Sequence, residues 1–372
     1  MGLFLAATCV GILVCTFGYL LCFEPALIDG DWLDVKGFTR IVIPDVFLYI
    51  SLTDRMNEFE WLQVAIAGVK NALGPALMWR LGGQNWYGMA AVNTLVAMMT
   101  LAYTIKLASH FDIPLHSTRH LAMTLALMPT TIYYSIGPAK ELPTLLATTA
   151  FVYHFIKRQT FRWVVMGLSA VLFRYQLIAV LLPFVFIARY SRNPVRAAVS
   201  LMLVLAMAYP LIAKVGIVAS EETGRFREES DSRAGAFIES VRDKVPIVSA
   251  AAVAVRVSQS VFEPIVNCLR PEGIIEGGSI SVINVVYLFS FLPLLPYCYR
   301  TLMRIRALRK AEAQHPDIRL VYTFIVLFAV PVAGFSFVHH RYLYPLTALM
   351  LIGGYECVRI SEFGADSAAG RS

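Results

Sequence analysis

Charged residues interrupt the apolar stretches of this chain at four places. The four places are Asp45, Lys140-Glu141, Arg174 and His339-His340-Arg341. Charged side chains in apolar surroundings are costly and commonly mark functional sites. A carboxylate could act as a general base, while lysine and arginine bind phosphate. The residue types therefore predict a site for an anionic substrate.

The two carboxylates each have a chemical and a structural interpretation. Asp45 lies between apolar and aromatic residues, so its pKa could be raised and it could act as a general base. The alternative is that Asp45 caps the helix that follows it. Glu141 is expected near the start of a helix, where the helix dipole favours a carboxylate. Lys140 beside it could bind phosphate.

The cations suggest phosphate recognition more directly. Arg174 has no acidic residue within a helical turn, so its partner must come from another element or from a ligand, and its planar fork suits a diphosphate. Arg341 either anchors a helix at the lipid interface or forms a second phosphate clamp. The adjacent His339 and His340 do not share a helix face, so we expect no metal pair and no cofactor.

Composition places these residues in a membrane protein. The chain has 372 residues, of which 58% are hydrophobic and 15% charged. Many apolar runs approach the ~20 residues that span a bilayer, where only helices satisfy the backbone. The fold class predicted is all-α, a polytopic transmembrane protein with about ten spans. The net charge of +7 sits mostly in short loops, where it sets topology, so we expect no nucleic-acid partner.

Placing the arginine-rich loops inside brings all four charged positions to the same outer face. The apolar run of residues 163–188 lies between two basic loops, which predicts two short helices that turn at Arg174. The alternative is one long tilted helix with Arg174 snorkelling. Residues 61–82 are expected as an interfacial or re-entrant helix on the outer face. The other predicted spans are Gly2–Cys22, Trp86–Ile105, Leu121–Gly137, Leu142–Ile156, Val195–Val218, Ser279–Tyr299, Leu320–Val338 and Tyr342–Val358.

This threading predicts a single transmembrane domain over residues 1–363. It includes outer loops at 23–85 and 219–278, and residues 364–372 form a disordered cytoplasmic tail. Both termini are expected in the cytoplasm, with the chain in a bacterial inner membrane. The chain has no Gly-rich phosphate loop, no H-E-x-x-H and no G-x-S-x-G motif, which argues against a nucleotide-driven pump or an intramembrane metalloprotease.

With these features in place, the chain resembles the GT-C superfamily of polyprenyl-dependent membrane glycosyltransferases, particularly bacterial polysaccharide polymerases. The resemblance covers roughly Gly2 to Gly354. It is carried by an acid in the first outer loop, the Lys140-Glu141 pair, the short helices around Arg174 and the late Arg-Tyr-Leu-Tyr-Pro of residues 341–345. The segments Lys-Asn-Ala-Leu-Gly-Pro (70–75) and Gly-Gly-Gln-Asn (82–85) also resemble the stretch before the second span in such polymerases.

The resemblance implies roles for individual residues. Asp45 would be the catalytic base, although a lone aspartate stands where some family members have paired acids, and Glu141 is the substitute. The phosphate-binding residues would be Lys140, Arg174, His340 and Arg341. Possible substrate-lining residues are Tyr49, Lys70, Asn71 and Tyr342.

The implied function is transfer of a polyprenyl (di)phosphate-linked sugar at the outer membrane face, most simply to polymerise exopolysaccharide or O-antigen units. Its partners would be the lipid-linked saccharide donor, a glycan acceptor, membrane lipids and other polysaccharide-assembly proteins. A flippase of the same lipid-linked sugars is an alternative, and so is a non-catalytic subunit of an envelope assembly. A flippase predicts charge along a central path, whereas charge gathered on one face favours the enzyme.

Overall fold

Helices make up most of the structure. The computed structural model describes residues 2–29, 38–39, 45–57, 73–214, 251, 262, 265, 274–276, 279–296, 315–329, 341 and 343–355. The helices are α1 (Gly2–Asp29), α2 (Asp45–Asn57), α3 (Leu73–Leu81), α4 (Trp86–His110), α5 (Leu115–Leu127), α6 (Pro129–Ser135), α7 (Glu141–Ile156), α8 (Thr160–Phe173), α9 (Ile178–Tyr190), α10 (Pro194–Lys214), α11 (Val282–Phe291) and α12 (Ile318–Ala329). Residues 347–355 are also helical, after a 3₁₀ turn at Tyr344–Leu346.

Two of the described helices are long and apolar enough to cross a membrane. They are Gly2–Phe23, within α1, and the whole of α4, and they pack against each other. Helix α4 begins at Trp86, as predicted, because the side chain of Asn85 accepts a hydrogen bond from the Gly88 backbone N–H at 2.6 Å. Five further apolar stretches of helix in the described residues have 10–17 residues, among them Pro194–Ala208 within α10.

The predicted span Leu121–Gly137 is two helices rather than one. Helix α5 ends before Met128, whose ψ is 126°, and Pro129 then opens α6. Proline disfavours helical backbone in the residue before it and is well tolerated at the first position of a helix. An apolar run therefore did not imply a continuous helix here.

The chain turns back at Arg174, as the positive-inside argument predicted. Arg174 has extended backbone (φ −145°, ψ 93°) between α8 and α9, with a short 3₁₀ turn at Tyr175–Leu177. A Cβ placed on Gly167 of α8 would lie 3.7 Å from Cδ1 of Leu181 in α9. These residues are equidistant from Arg174 in sequence, so α8 and α9 form a hairpin. The alternative of one long helix is wrong.

An aromatic core joins α7, α9 and α12. The rings of Phe151 and Phe184 have centroids 5.6 Å apart, and Phe184 and Phe324 are 5.3 Å apart. All three side chains are fully buried. This core holds the α8–α9 hairpin against α7, whose first turn carries Lys140 and Glu141.

A small sheet departs from the all-α prediction. Strand β1 (Phe38–Thr39) pairs in parallel with β3 (Ser279–Ser281), and β2 (Ile275–Glu276) pairs with β3 in antiparallel orientation. The sheet joins the two predicted outer loops, and β3 occupies the predicted start of the span Ser279–Tyr299, whose helix begins at Val282. Most of loop 219–278 and the tail 364–372 lie outside the described residues.

A second polar group lies at the opposite end of α7. His110 at the end of α4 contacts Asp317 at 3.0 Å and Lys157 at 3.0 Å. His154 contacts the Tyr103 hydroxyl at 2.9 Å. Since α7 has 16 residues, this group lies about 24 Å along the helix from Glu141. The bundle therefore has two polar ends joined by apolar helices.

Candidate functional site

Five charged side chains from four parts of the chain meet at the end of α7 that begins with Glu141. Asp45 accepts a hydrogen bond from Arg341 at 2.5 Å and lies 3.6 Å from the Lys140 amine. One oxygen of Glu141 accepts from Arg174 at 3.2 Å and lies 3.1 Å from Nε of Arg341. We call Asp45, Lys140, Glu141, Arg174 and Arg341 the charged cluster. Its three cations exceed its two carboxylates by one charge.

The charged cluster has an exposed side and a buried side. The side chain of Asp45 is 36% exposed, and those of Lys140 and Arg341 are 11% exposed. Arg174 and Glu141 lie deepest, with exposures of 6% and 1%. A ligand therefore reaches Asp45 first and Arg341 and Lys140 next. Glu141 is placed to hold Arg174 and Arg341 rather than to meet solvent.

Close packing brings Asp45 to Lys140. Asp45 lies in the first turn of α2, whose next residue, Val46, is buried. A Cβ on Gly137 would lie 3.1 Å from the Val46 side chain, so the turn before α7 packs closely against α2. The amide of Asn93 in α4 donates to the Gly137 carbonyl at 2.8 Å and to the Ser135 carbonyl at 3.2 Å. These bonds hold the turn that presents Lys140.

Helix α3 supports Arg174 from the side. A Cβ on Gly74 would lie only 2.6 Å from the Phe173 ring, so α3 packs directly on the last residue of α8. The Thr53 hydroxyl of α2 donates to the Ala76 carbonyl of α3 at 3.3 Å. Helix α3 thus links the element that carries Asp45 to the break that carries Arg174.

The 3₁₀ turn after Arg341 is tied into the bundle by buried hydroxyl groups. The Tyr344 hydroxyl lies 3.0 Å from that of Thr131 in α6. Thr148 of α7 donates to the Pro345 carbonyl at 2.9 Å. The Tyr344 ring also packs edge-on against Tyr134, at 4.7 Å between centroids. These contacts fix the position at which Arg341 enters the charged cluster.

The expected rise in the pKa of Asp45 is wrong. Burial raises the pKa of this carboxyl, but the charges of Arg341 and Lys140, and their hydrogen bonds, outweigh it and lower the pKa to about 2. In this arrangement Asp45 is ionised and a weak base. A ligand that drew the two cations away would restore its basicity.

Lys140 is the cation whose charge is most easily lost. Burial, followed by repulsion from Arg341, lowers the pKa of Lys140 to about 8, although Glu141 and Asp45 act in the opposite direction. Its amine lies 6.0 Å from the centre of the buried Tyr49 ring. The ring face adds a modest cation–π attraction. An anionic ligand would favour the charged form of this lysine.

The structure brings together most of the residues that the sequence singled out. Asp45, Lys140, Glu141, Arg174 and Arg341 form the charged cluster, and Tyr49 lies beside it. Lys70, Asn71, His340 and Tyr342 lie outside the described residues. Among the described residues, no group of three or more His, Cys, Asp and Glu side chains could hold a metal ion.

Sequence reasoning missed the residues that support the charged cluster. Asn93, Thr131, Thr148 and Tyr344 are all buried and all hydrogen-bonded near it. A lone amide in the apolar run of α4 was a usable signal for Asn93, because a buried amide needs partners. Threonines within a helix carry no such signal, since they commonly bond to their own helix.

The charged cluster has surplus positive charge beside a partly exposed carboxylate, Asp45. Such an arrangement can bind a phosphate and accept a proton from a nearby hydroxyl once the cations have moved to the phosphate. No protein family matches the chain, and no curated protein or solved structure is significantly similar to it.

Proposed function

We propose that the chain is an integral-membrane glycosyltransferase. It takes a sugar from a polyprenyl phosphate or diphosphate and adds it to a glycan acceptor, most simply to polymerise exopolysaccharide or O-antigen units. The charged cluster carries this proposal, because three cations and two carboxylates meet at one end of a bundle of apolar helices. Its surplus positive charge suits a phosphate leaving group, and its most exposed member, Asp45, suits an acceptor hydroxyl.

Exposed apolar side chains support a membrane location. Leu3 of α1 is 87% exposed, Phe161 of α8 is 81% exposed, and Leu168 is 66% exposed. Soluble proteins rarely leave contiguous apolar patches larger than a few hundred Å² in water. Lipid chains would cover these faces, and together with α1 and α4 they support a polytopic arrangement of about ten spans.

The distribution of basic residues supports the orientation. Lys157, Arg158 and Arg162 lie where α7 leads into α8, at the end of the bundle opposite to the charged cluster. Arg189 and Arg192 lie at the same end because α8 and α9 form a hairpin. Basic loops favour the cytoplasmic side, which supports an orientation with the charged cluster at the outer face of a bacterial inner membrane.

The proposed reaction is a direct displacement at the anomeric carbon of the donor sugar. The donor phosphate binds Arg341 and Lys140 and weakens their hold on Asp45, whose pKa then rises. Asp45 takes the proton of the acceptor hydroxyl as its oxygen bonds to the anomeric carbon. The bond from that carbon to the phosphate oxygen breaks, and the electron pair leaves with the phosphate. The anomeric centre is inverted.

Glu141 acts in this reaction as a positioning residue. One of its two carboxylate oxygens, Oε1, contacts both Arg174 and Arg341, so Glu141 spaces the two guanidinium groups for a phosphate or diphosphate. Arginines held in place before the donor arrives stabilise the developing negative charge without reorganisation. The deep burial of Glu141 is consistent with this role, since water would otherwise compete for both arginines.

The test is chain extension by the purified full-length protein in lipid nanodiscs. A panel of polyprenyl monophosphate- and diphosphate-linked oligosaccharides serves as donors, and products are read by mass spectrometry. Wild type should extend the acceptor. Asp45→Asn should lose about 100-fold or more of the rate, and Arg174→Ala about 100- to 1,000-fold.

Arg119→Ala is the matched control, because Arg119 is exposed on α5 at the opposite end of the bundle. Arg119→Ala should keep the full rate. Arg174→Lys should keep the positive charge at that position but lose the bidentate contact with the phosphate. If wild type extends nothing but moves labelled lipid-linked sugar between leaflets, the chain is a flippase. If it does neither, a non-catalytic role in envelope assembly replaces the proposal.

A further inference from the structure

An open apolar groove runs beside α9 at the end far from the charged cluster. Its volume is about 660 Å³, and it is lined by side chains of α8, α9 and α10. Its lining includes Trp163 of α8, Leu201 of α10, and Leu182 and Phe186 of α9. The volume falls in the range of about 300–1,000 Å³ that is typical of small-molecule sites.

One end of the groove is cationic. Arg189 and Tyr190 complete its lining at the last turn of α9, and both side chains are exposed. Arg192 and Arg196 follow Arg189 by three and seven residues. The sequence has no aspartate or glutamate between Glu141 and Glu221, so no carboxylate from these three helices offsets the arginines.

A lipid molecule whose chain lies in the groove cannot place its headgroup at the charged cluster. Arg174 and Arg189 lie at opposite ends of α9, separated by about 22 Å at 1.5 Å per residue. That distance exceeds the depth of one leaflet, which is about 15 Å or half of the ~30 Å hydrocarbon core. A lipid whose phosphate meets Arg189 therefore belongs to the leaflet on the basic side of the bundle.

We propose that this groove binds one acyl chain of an anionic phospholipid, whose phosphate pairs with Arg189. The inference rests on the membrane location in the proposed function but not on the transfer reaction. The aromatic side chains of Trp163, Phe186 and Tyr190 suit the boundary between headgroup and acyl chain. The positive charge of Arg189, Arg192 and Arg196 favours an anionic headgroup over a zwitterionic one.

Fluorescence quenching tests the proposal, because Trp163 lines the groove. The full-length chain is placed in phosphatidylcholine bilayers that contain a small fraction of brominated phosphatidylglycerol or of brominated phosphatidylcholine with the same chains. The contribution of Trp163 is the difference between the quenching of the wild-type protein and that of Trp163→Phe. We expect the anionic lipid to quench this part at about fivefold lower mole fraction than the zwitterionic lipid.

Arg189→Gln should remove this preference. Arg119→Gln, which makes the same charge change at an exposed site on the same end of the bundle, should keep it. Equal quenching by both lipids overturns the proposal, and so does an equal loss in the two variants, which would indicate a general surface potential. No sugar donor is present, so failure of glycosyl transfer leaves this result unchanged. If neither lipid quenches Trp163, the membrane location fails and the groove has another occupant.

Discussion

At the scale of single residues, the site depends on one buried carboxylate that serves two arginines. Glu141 is 1% exposed and contacts Arg174 and Arg341 through the same oxygen. Burying an ion pair is costly unless each charge is compensated, and removing one partner leaves the others unpaired in a region of low dielectric. The charged cluster is therefore a coupled unit, in which the loss of one charge leaves its partners in the cluster without compensation.

The pH dependence of phosphate binding should follow Lys140. Its amine carries a charge below a pKa of about 8 and loses it above that value. We expect the dissociation constant for inorganic pyrophosphate to rise by about tenfold as the pH increases through this range, because a charge-assisted hydrogen bond is lost. Isothermal titration calorimetry across the pH series measures the change.

Lys140→Arg is the matched variant, since arginine stays charged throughout this range. Its pyrophosphate affinity should be nearly flat where wild type weakens. The stability of the wild-type protein should change with pH in the opposite direction to its pyrophosphate affinity, so the free energy of unfolding should increase as the affinity decreases. The pKa of Lys140 is lower in the folded state than its ordinary 10.5, so stability rises between about pH 8 and that value. Identical pH profiles for wild type and Lys140→Arg would show that another group titrates.

The members of the charged cluster could be predicted from the sequence, but their pairing could not. Asp45, Glu141, Arg174 and Arg341 each stood out as charges among apolar residues. The low pKa of Asp45 depends on Arg341, which is nearly 300 positions away, and no local pattern shows that contact. The sequence therefore predicted a raised pKa for Asp45, whereas in the structure two cations surround this carboxylate and lower its pKa.

At the scale of elements, breaks in helices decide where the functional side chains lie. The turn at Arg174 was predictable because basic loops flank both sides of residues 163–188. The break at Met128 was not, since the apolar run continues through it and only Pro129 marks the change. The short sheet of residues 38–39, 275–276 and 279–281 joins segments far apart in sequence, and strands of two or three residues have no readable period.

Gly74 should be a sensitive point of the element packing. Alanine normally favours a helix over glycine, but a Cβ here would lie 2.6 Å from the Phe173 ring. Gly74→Ala should therefore destabilise the protein by about 1–3 kcal/mol and displace the helix end that carries Arg174. Thermal unfolding in detergent and pyrophosphate affinity are the two measurements.

Gly11→Ala is the control, because a Cβ at Gly11 in α1 would have no neighbour within 4 Å. It should leave both measurements unchanged or raise stability slightly. Phe173→Leu combined with Gly74→Ala should recover part of the lost stability, since the smaller side chain relieves the clash. If Gly74→Ala behaves like Gly11→Ala, α3 does not set the position of Arg174.

At the scale of the whole molecule, the bundle has a charged group at each of its two ends and exposed apolar side chains between them. The charged cluster occupies one end, with acid and base paired. At the other end, Lys157 and Asp317 both contact His110, and Arg158 and Arg189 lie at helix ends on the same side of the bundle. Exposed apolar side chains of α1, α8 and α9 lie between the ends. This division is the one expected under the proposed membrane location, with the basic loops on one side of the bilayer.

Labelling from the two sides of the membrane should reproduce this division. In a cysteine-free background, Gln84→Cys and His116→Cys report the two ends of α4, whose 25 residues extend about 37 Å. A membrane-impermeant maleimide added to intact cells should label Gln84→Cys and spare His116→Cys. Inverted vesicles should give the reverse. Both positions are exposed, so their reactivity reports the side of the membrane rather than burial.

The decisive pair of variants is Arg158→Cys and Tyr190→Cys. These residues lie just before α8 and at the end of α9, so both are at the open end of the hairpin. Both should label from the same side as His116→Cys, because the chain turns back at Arg174 and two crossings of 13 and 14 residues return it. One continuous crossing would put these positions on opposite sides. Labelling of Arg158→Cys and Tyr190→Cys from opposite sides would move Arg174 away from the outer face and separate it from Asp45. The charged cluster could then not form as a single site.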